Sequence, residues 1–364
     1  YAGLVREGAQ VEYLDLGGGL AVDYDGSQSN FLSSRNYTLK EYCTDIIEAV
    51  MTSLDEDNIP HPVIITESGR ALVAYYSILL FNILDVTRFQ ADPLPERLPE
   101  GCPPQLEYMV QALKALTVRN IQEGFNDAIF YRDETRRLFQ HGQASLRERS
   151  LAEQRFWTTI SEISRLAREI KNPGAELIDL DRVLSDFYYC NFSVFQSLPD
   201  SWAIGQLFPI MPIHRLDEEP TRKGILADIT CDCDGKIDQF IDKRGMKRYL
   251  PLHELKPYEA YILGVFLVGA YQETLGDLHN LLGDTNVVTI SIGDKGEFEF
   301  VSEQEGDTVA EVLSYVQYDP KRLFVRFRET AEQAVRAGKI SAQERREIVE
   351  AYEAGLRGYT YFER

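Results

Sequence analysis

The sequence predicts a mixed architecture of α/β plus β type: an α/β start, an inserted helical bundle, a β-rich domain and a helical tail. Three observations carry it. A strand–helix–strand pattern fills residues 1–92, long helical periodicities occupy 93–187, and short strands with turn signals run through 188–318 before helix resumes over 319–364. The 364 residues are 44% hydrophobic and 26% charged, ordinary for a globular protein. A net charge of −20 disfavours nucleic acid and anionic membrane as partners, because the summed field repels phosphates. It leaves room for an anionic small ligand held by local donors. No apolar run is long enough to span a bilayer. Cys43, Cys102, Cys190, Cys231 and Cys233 are too few and too scattered for a disulfide framework, so a reducing, cytoplasmic location is expected. The chain opens at Tyr1 close to a strand, which leads to the expectation of a processed or truncated start.

Val11 to Leu16 reads as a short strand running into Gly17-Gly18-Gly19. Tyr37 to about Leu54 is a helix with Tyr42, Ile46, Ile47 and Val50 on one face, and Pro62 to Thr66 is a second strand. Strand, helix and strand at this spacing make a βαβ unit with parallel strands. Arg70 to Leu84 continues as helix or strand, and the prolines of 93–103 mark a boundary. Helix is expected over 104–140, over 145–170 with Ser145 as N-cap, and over 177–187. In the second of these, Trp157, Ile160, Ile163, Ala167 and Ile170 form the buried stripe, and Asn172-Pro173-Gly174 ends it. Strands are expected at 224–230, 261–269 and 287–292, with a hairpin turn at Gly293-Asp294-Lys295-Gly296. Asp319-Pro320 starts a helix in the tail, and Ser341 with Glu344 forms a capping box for the last one.

Four motifs invite a chemical reading. Asp15-Leu16-Gly17-Gly18-Gly19 after a strand lets backbone N–H groups approach an anion, although a tight turn without ligand has the same sequence. Glu67-Ser68-Gly69-Arg70 also follows a strand; a solvated ion pair reads alike, but both motifs lie at strand C-termini, where barrel enzymes place their sites. In Asp228-Ile229-Thr230-Cys231-Asp232-Cys233-Asp234-Gly235, a Cys-x-Cys pair is a poor zinc site. Its acidic neighbours disfavour a thiolate nucleophile and suit a thiol that donates a proton; a strand end with an Asp-rich turn is the plain alternative. Val268 to Glu273, with Tyr271, is followed by Leu278-His279-Asn280; Tyr271 also reads as aromatic packing at a strand end.

Together these segments resemble the biosynthetic arginine decarboxylases, of the alanine-racemase-like class of pyridoxal-phosphate enzymes. The resemblance is carried by LDLGGGLAVDYDGS (14–27), ITESGRA (65–71), NFSVFQSLPDSW (191–202), QLFPIMP (206–212), DITCDCDGKID (228–238), VGAYQETLGDLHNLLGDT (268–285), EGDTVAEVLSYVQYDP (305–320) and GYTYFE (358–363), in that order. Ornithine and diaminopimelate decarboxylases share the glycine loop, the Glu-x-Gly-Arg turn and the Cys-Asp pair, but lack the helical insert and FQSLPDSW, so arginine is the favoured substrate.

The resemblance implies that residues 1–92 are the end of a pyridoxal-phosphate-binding β/α (TIM-like) barrel. It implies decarboxylation of L-arginine to agmatine and CO2, in polyamine biosynthesis toward putrescine and spermidine. Gly17, Gly18, Gly19, Gly69 and Arg70 would hold the cofactor phosphate, Tyr271 would reach it, and Glu67 would pair with the pyridine nitrogen. Cys231 and Asp232 match the pair that one subunit lends to its neighbour in a homodimer or dimer of dimers. Asp232 would bind guanidinium and Cys231 would protonate the product. Asp200 is a second candidate for guanidinium, and Asp15, Asp23 and Tyr24 are further substrate-binding candidates. Cys233 stands where the family has serine. Magnesium is implied as a second cofactor, with no ligand set located. The family's cofactor-anchoring lysine lies upstream of the glycine loop, and no lysine here matches it, so this chain by itself is expected to be inactive. The rivals are a decarboxylase of another basic amino acid and a non-catalytic regulatory or interaction relative.

Overall fold

The computed structural model describes residues 1–88, 98–170, 177, 180–243 and 245–363. At the N-terminal end, β1 (Tyr13–Asp15) and β2 (Val63–Ile65) pair in parallel, with Tyr13 opposite Val63 and Asp15 opposite Ile65. The helix Leu39–Asp55 joins them, making the expected βαβ unit. Thr38 caps it: its hydroxyl accepts from the Glu41 amide while the Glu41 carboxylate accepts from the Thr38 amide.

The main sheet has seven strands. They are β3 (Ile78–Thr87), β4 (Asp186–Cys190), β5 (Ile210–Pro212), β6 (Arg222–Ala227), β7 (Lys236–Ile237), and then β10 (Leu250–Leu252) and β11 (Ile262–Phe266), beyond the small hairpin of β8 (Phe240–Asp242) and β9 (Gly245–Lys247). Their order is β10-β6-β4-β3-β11-β5, with β7 on β6, and among the described residues of this sheet only β4 and β6 run parallel. β3 is therefore a central strand of this sheet, although the sequence alone groups it with the barrel segment. It is ten residues long with Phe81 and Ile83 buried. The core between sheet and loops holds Phe81 stacked on Phe192 at 4.3 Å, together with Tyr188, Leu226, Leu252, Leu263 and Val265.

The helical insert enters after β3 and returns at β4. Helices Pro104–Ala115, Ile121–Gln140 and Leu146–Ala167 pack on a second core of Leu106, Met109, Ile121, Phe156, Ile160 and Ile163. The predicted stripe is borne out: Ile160, Ile163 and Ala167 are buried, with Trp157 and Ile170 against them. Ser145 caps the third helix in a capping box with Glu148. Where helix was expected over 177–187, the described residues give only Leu180–Val183, and Asp186 already opens β4, anchored by the Arg222 guanidinium to its carboxylate at 2.7 Å. The expected domain boundary at 92/93 and the Asn172-Pro173-Gly174 stop lie outside the described residues.

β12 (Val287–Ile292) and β13 (Phe298–Gln304) form the predicted hairpin, and both strands are exposed along their length. The tail begins earlier than Asp319, with a helix at Val309–Tyr315 capped by Thr308, then Pro320–Arg336 and Ala342–Arg357. Phe327 stacks on Tyr352 at 4.1 Å to hold the last two together. The chain end returns to the β-rich part, where the buried Tyr361 hydroxyl donates to the Gly283 carbonyl at 2.9 Å. No helix among the described residues is long and apolar enough to cross a membrane.

Gly224 lies in β6 where a Cβ would come 2.5 Å from Leu252 Cδ1 and 2.8 Å from Tyr188 Cδ2. Gly224→Ala is expected to destabilise the protein by about 1–3 kcal/mol through overpacking, read as a lower chemical-denaturation midpoint at unchanged slope.

Candidate active site

The two glycine-containing loops meet because their strands pair. The Leu16 amide donates to the Ile65 carbonyl at 3.0 Å, and the Glu67 amide donates to the Gly17 carbonyl at 2.9 Å. Gly17 and Gly19 sit at φ of 67° and 107°, left-handed values that a side chain resists. Asp15 caps the turn by accepting from the Gly17 amide at 2.8 Å. Asp23 organises the following loop, accepting from the Gly26 amide at 3.1 Å and the Ser34 hydroxyl at 2.8 Å. Both carboxylates are thus engaged in holding backbone, which is a different task from the substrate contact that the resemblance implies for them.

A cavity of about 340 Å³ opens here, lined by Gly18, Gly19, Ser68, Gly69, Arg70 and Tyr271 among others. Arg70 is its cation. Its Nη1 donates to the Tyr24 hydroxyl at 3.0 Å and its Nη2 to Asp200 Oδ2 at 3.1 Å, and its guanidinium lies 4.9 Å from the Tyr271 ring centroid. Tyr24 is buried against Phe208, and burial pushes its phenol above the ordinary value, so the hydroxyl stays neutral. Asp200 is buried too. Besides Arg70, it accepts from Gln272 Nε2 at 2.9 Å, while its own amide donates to Gln272 Oε1 at 3.1 Å. Asp200 thus orients Arg70, and this pairing is a competing use for the carboxylate proposed to meet guanidinium. Tyr271 holds a left-handed φ of 69°. Glu67 is exposed at the same strand end.

The donor set fits a phosphate. A guanidinium has five N–H donors, of which Tyr24 and Asp200 engage two, and Arg70 lines the cavity together with Gly18, Gly19 and Gly69. Pyridoxal 5'-phosphate, implied by the resemblance, matches this chemistry.

Cys231 and Asp232 are on a separate loop and do not line that cavity. Asp228, buried at the loop's root, accepts from the Val194 amide at 2.8 Å, the Thr230 amide at 2.8 Å and the Thr230 hydroxyl at 2.7 Å. Burial pushes its carboxyl up, against the pull of those donors. Asn280 contacts Cys231, and His279 Nε2 lies 3.7 Å from Asp232 Oδ2. Asp232, Cys233 and Asp234 bring ligand atoms within 4.8 Å of one another. A thiol between two carboxylates does not fit magnesium, which takes oxygen ligands in near-octahedral geometry. Sequence reasoning missed Gln272 and Asp228 as organisers. Each sits one to three residues from a flagged residue, but neither carries a motif signal of its own.

Comparison with known proteins agrees with this geometry. Residues 1–74 match the pyridoxal binding domain of pyridoxal-dependent decarboxylases, 99–181 the arginine decarboxylase helical bundle domain, and 309–362 the arginine decarboxylase C-terminal helical extension. A biosynthetic arginine decarboxylase of Gloeobacter violaceus is 47% identical over 99% of this chain and 56% of its own length. One from Bacteroides thetaiotaomicron is 46% identical over 100% of this chain and 58% of its own. The crystal structure of the biosynthetic arginine decarboxylase from Campylobacter jejuni, 31% identical, superposes with a TM-score of 0.80 over 100% of this chain and 58% of that one. The chain spans a little over half the length of the relatives it matches. The match runs without interruption of order through cofactor-binding segment, helical insert, β-rich sheet and tail, and the chain belongs to the biosynthetic arginine decarboxylases, a pyridoxal-dependent family.

Proposed function

We propose that the protein carrying this chain decarboxylates L-arginine to agmatine and CO2, as a step toward polyamines, with pyridoxal 5'-phosphate in the Arg70 cavity. The observation that supports the reading is the convergence of Gly18 and Gly19, the Ser68–Arg70 turn and Tyr271 on one cavity lined by a guanidinium, that of Arg70, which a buried carboxylate orients. The cofactor, when bound, supplies the electron sink that accepts the pair left as CO2 departs. Gly17–Gly19, Gly69, Arg70 and Tyr271 bind and orient its phosphate. Glu67 keeps the ring nitrogen protonated.

Asp232 holds the substrate guanidinium, and the strongly acidic chain draws that cation in. Cys231 hands its S–H proton to the carbon that lost CO2: the C–H bond forms with the pair left there, the sulfur keeps the S–H pair, and solvent reprotonates it. Because Cys231 and Asp232 stand apart from the cavity of their own chain, they serve the cavity of a second copy in a homodimer or a dimer of dimers. Arginine is preferred over another basic amino acid because the helical insert over 99–181 and the tail over 309–362 match arginine decarboxylase segments. Decarboxylation of ornithine, lysine or diaminopimelate in preference to arginine, assayed as CO2 release by the natural gene product, would overturn this choice.

Arg70→Ala is expected to weaken cofactor binding by about 10–150-fold, the equivalent of a charge-assisted bond worth about 1.5–3 kcal/mol. It also strands Asp200, so Arg70→Ala with Asp200→Asn should recover thermal stability without recovering affinity; fluorescence titration and a melting curve read the two separately. Glu67→Gln is expected to bind cofactor normally and to turn over more slowly.

Asp232→Ala is expected to raise KM for arginine strongly and Cys231→Ala to lower kcat, whereas Cys233→Ala and Asp234→Ala stay mild. Mixing Cys231→Ala subunits with Arg70→Ala subunits should restore partial activity through hybrid dimers. A dominant defect at Cys233, or exchange without recovery, would refute the assignment.

A further inference from the structure

The loop bearing Cys231 and Asp232 is met by two consecutive residues from elsewhere in the chain, His279 and Asn280. The Asn280 amide addresses Cys231 three times. The Cys231 amide donates to Asn280 Oδ1 at 3.4 Å, the thiol lies 3.7 Å from that same oxygen, and Asn280 Nδ2 lies 3.4 Å from the sulfur. The backbone is shaped for this. Asn280 holds φ 57° and ψ 17°, interrupting the short 3-10 turn His279–Leu281. Asparagine is among the few residues that adopt this left-handed conformation readily.

His279 is fixed beside it. Its ring packs 4.7 Å from Phe195, and its Nε2, shut off from solvent and without a hydrogen-bond partner, sits 3.7 Å from Asp232 Oδ2. The Phe195 segment is in turn tied to the Cys231 loop through Asp228, which accepts from the Val194 amide.

We propose that Asn280 is the positioning residue for the Cys231 thiol, holding the sulfur through both halves of its proton-transfer cycle. The chemistry of the amide makes it suited to that task. While the sulfur carries its proton, the thiol donates to Oδ1. Once the proton has gone to the substrate carbon, Nδ2–H donates to the thiolate, and the bond from the Cys231 amide to Oδ1 keeps the loop in place throughout. A carboxylate in that place could not do both, because it lacks the donor and repels the thiolate. The inference rests on the proposed function for the purpose of the thiol, but not for the contact itself.

The test therefore has an arm that needs no substrate. In the natural gene product with Cys233→Ser, the alkylation rate of Cys231 by iodoacetamide at fixed pH, followed by peptide mass spectrometry, reports how well its surroundings support the thiolate. Asn280→Asp keeps shape and backbone preference but replaces the donor with charge, and is expected to slow alkylation about tenfold or more, as loss of a hydrogen bond to a charged group requires. In the second arm, Asn280→Asp and Asn280→Gly, the latter keeping the left-handed backbone if the aspartate variant fails to fold, are expected to lower kcat about tenfold with KM for arginine within about twofold. A purely structural role for Asn280 would shift KM and melting temperature together and leave alkylation unchanged. Wild-type alkylation in Asn280→Asp, or wild-type kcat in Asn280→Gly, would overturn the proposal. Slowed alkylation in a protein that leaves arginine untouched would uphold Asn280 and sink the proposed reaction instead.

Discussion

The ion pair between Arg70 and Asp200 joins residues 130 positions apart, and most of the candidate site hangs on it. Arg70 follows β2 in the cofactor-binding segment, whereas Asp200 lies in the short helix Pro199–Ala203 that comes after β4. A buried carboxylate is costly unless it is paired and hydrogen-bonded. Asp200 meets both conditions, with Arg70 on one side and Gln272 on the other. Gln272 in turn brings the turn of Tyr271 to the same point, so three chain segments distant in sequence are fixed around one cavity by a single network. Such a network loses more than one bond when any member is removed, because the remaining polar groups are left buried.

The same economy appears at the Cys231 loop. Asp228 gathers three donors from Val194 and Thr230, and the tail closes on the same region through Tyr361 and Gly283. Gln196 Nε2 reaches Asp284 Oδ1 at 2.6 Å, next to Gly283, so the short helix Val194–Ser197 touches both the Cys231 loop, through Asp228, and the anchor of the chain end. The C-terminal helices thereby bear on the site without lining it.

Much of this was legible in the sequence where local chemistry decides. Thr38, Ser145, Thr308 and Ser341 each precede a glutamate by three residues, and all four make capping boxes; Ser145 and Ser341 stood out beforehand. The βαβ unit followed from a strand, a helix and a strand at the right spacing, and the hairpin at 287–304 from Gly293 to Gly296. Long-range pairing was not legible. Nothing local tells Ile78–Thr87 that it belongs between β4 and β11, since its partners lie about a hundred and about 180 residues downstream. Asp186 falls within the helix expected over 177–187; pairing with Gly224 and the Arg222 contact place it in a strand instead. For Asp15, Asp23 and Asp200 the resemblance pointed toward the substrate, whereas the described hydrogen bonds of Asp15 and Asp23 hold their own loops and those of Asp200 orient Arg70. Carboxylates near a site look alike in sequence whether they bind or brace.

The placement of the helical insert has a kinetic consequence. β3 ends at Thr87 and β4 takes up the pairing at Phe187, directly opposite, so the chain leaves the sheet and re-enters it at neighbouring positions. Before anything folds, that pairing must close a loop of about a hundred residues, an entropic cost that grows slowly with length but delays non-local contacts. The bundle has its own core and mostly local contacts. Once formed, it shortens the effective tether between the two strands, so the insert acts as an internal guide for assembly of the sheet. Substitutions in the Ile160 and Ile163 stripe would then be felt in the rate at which the distant strands find each other, besides the stability of the helices that carry them.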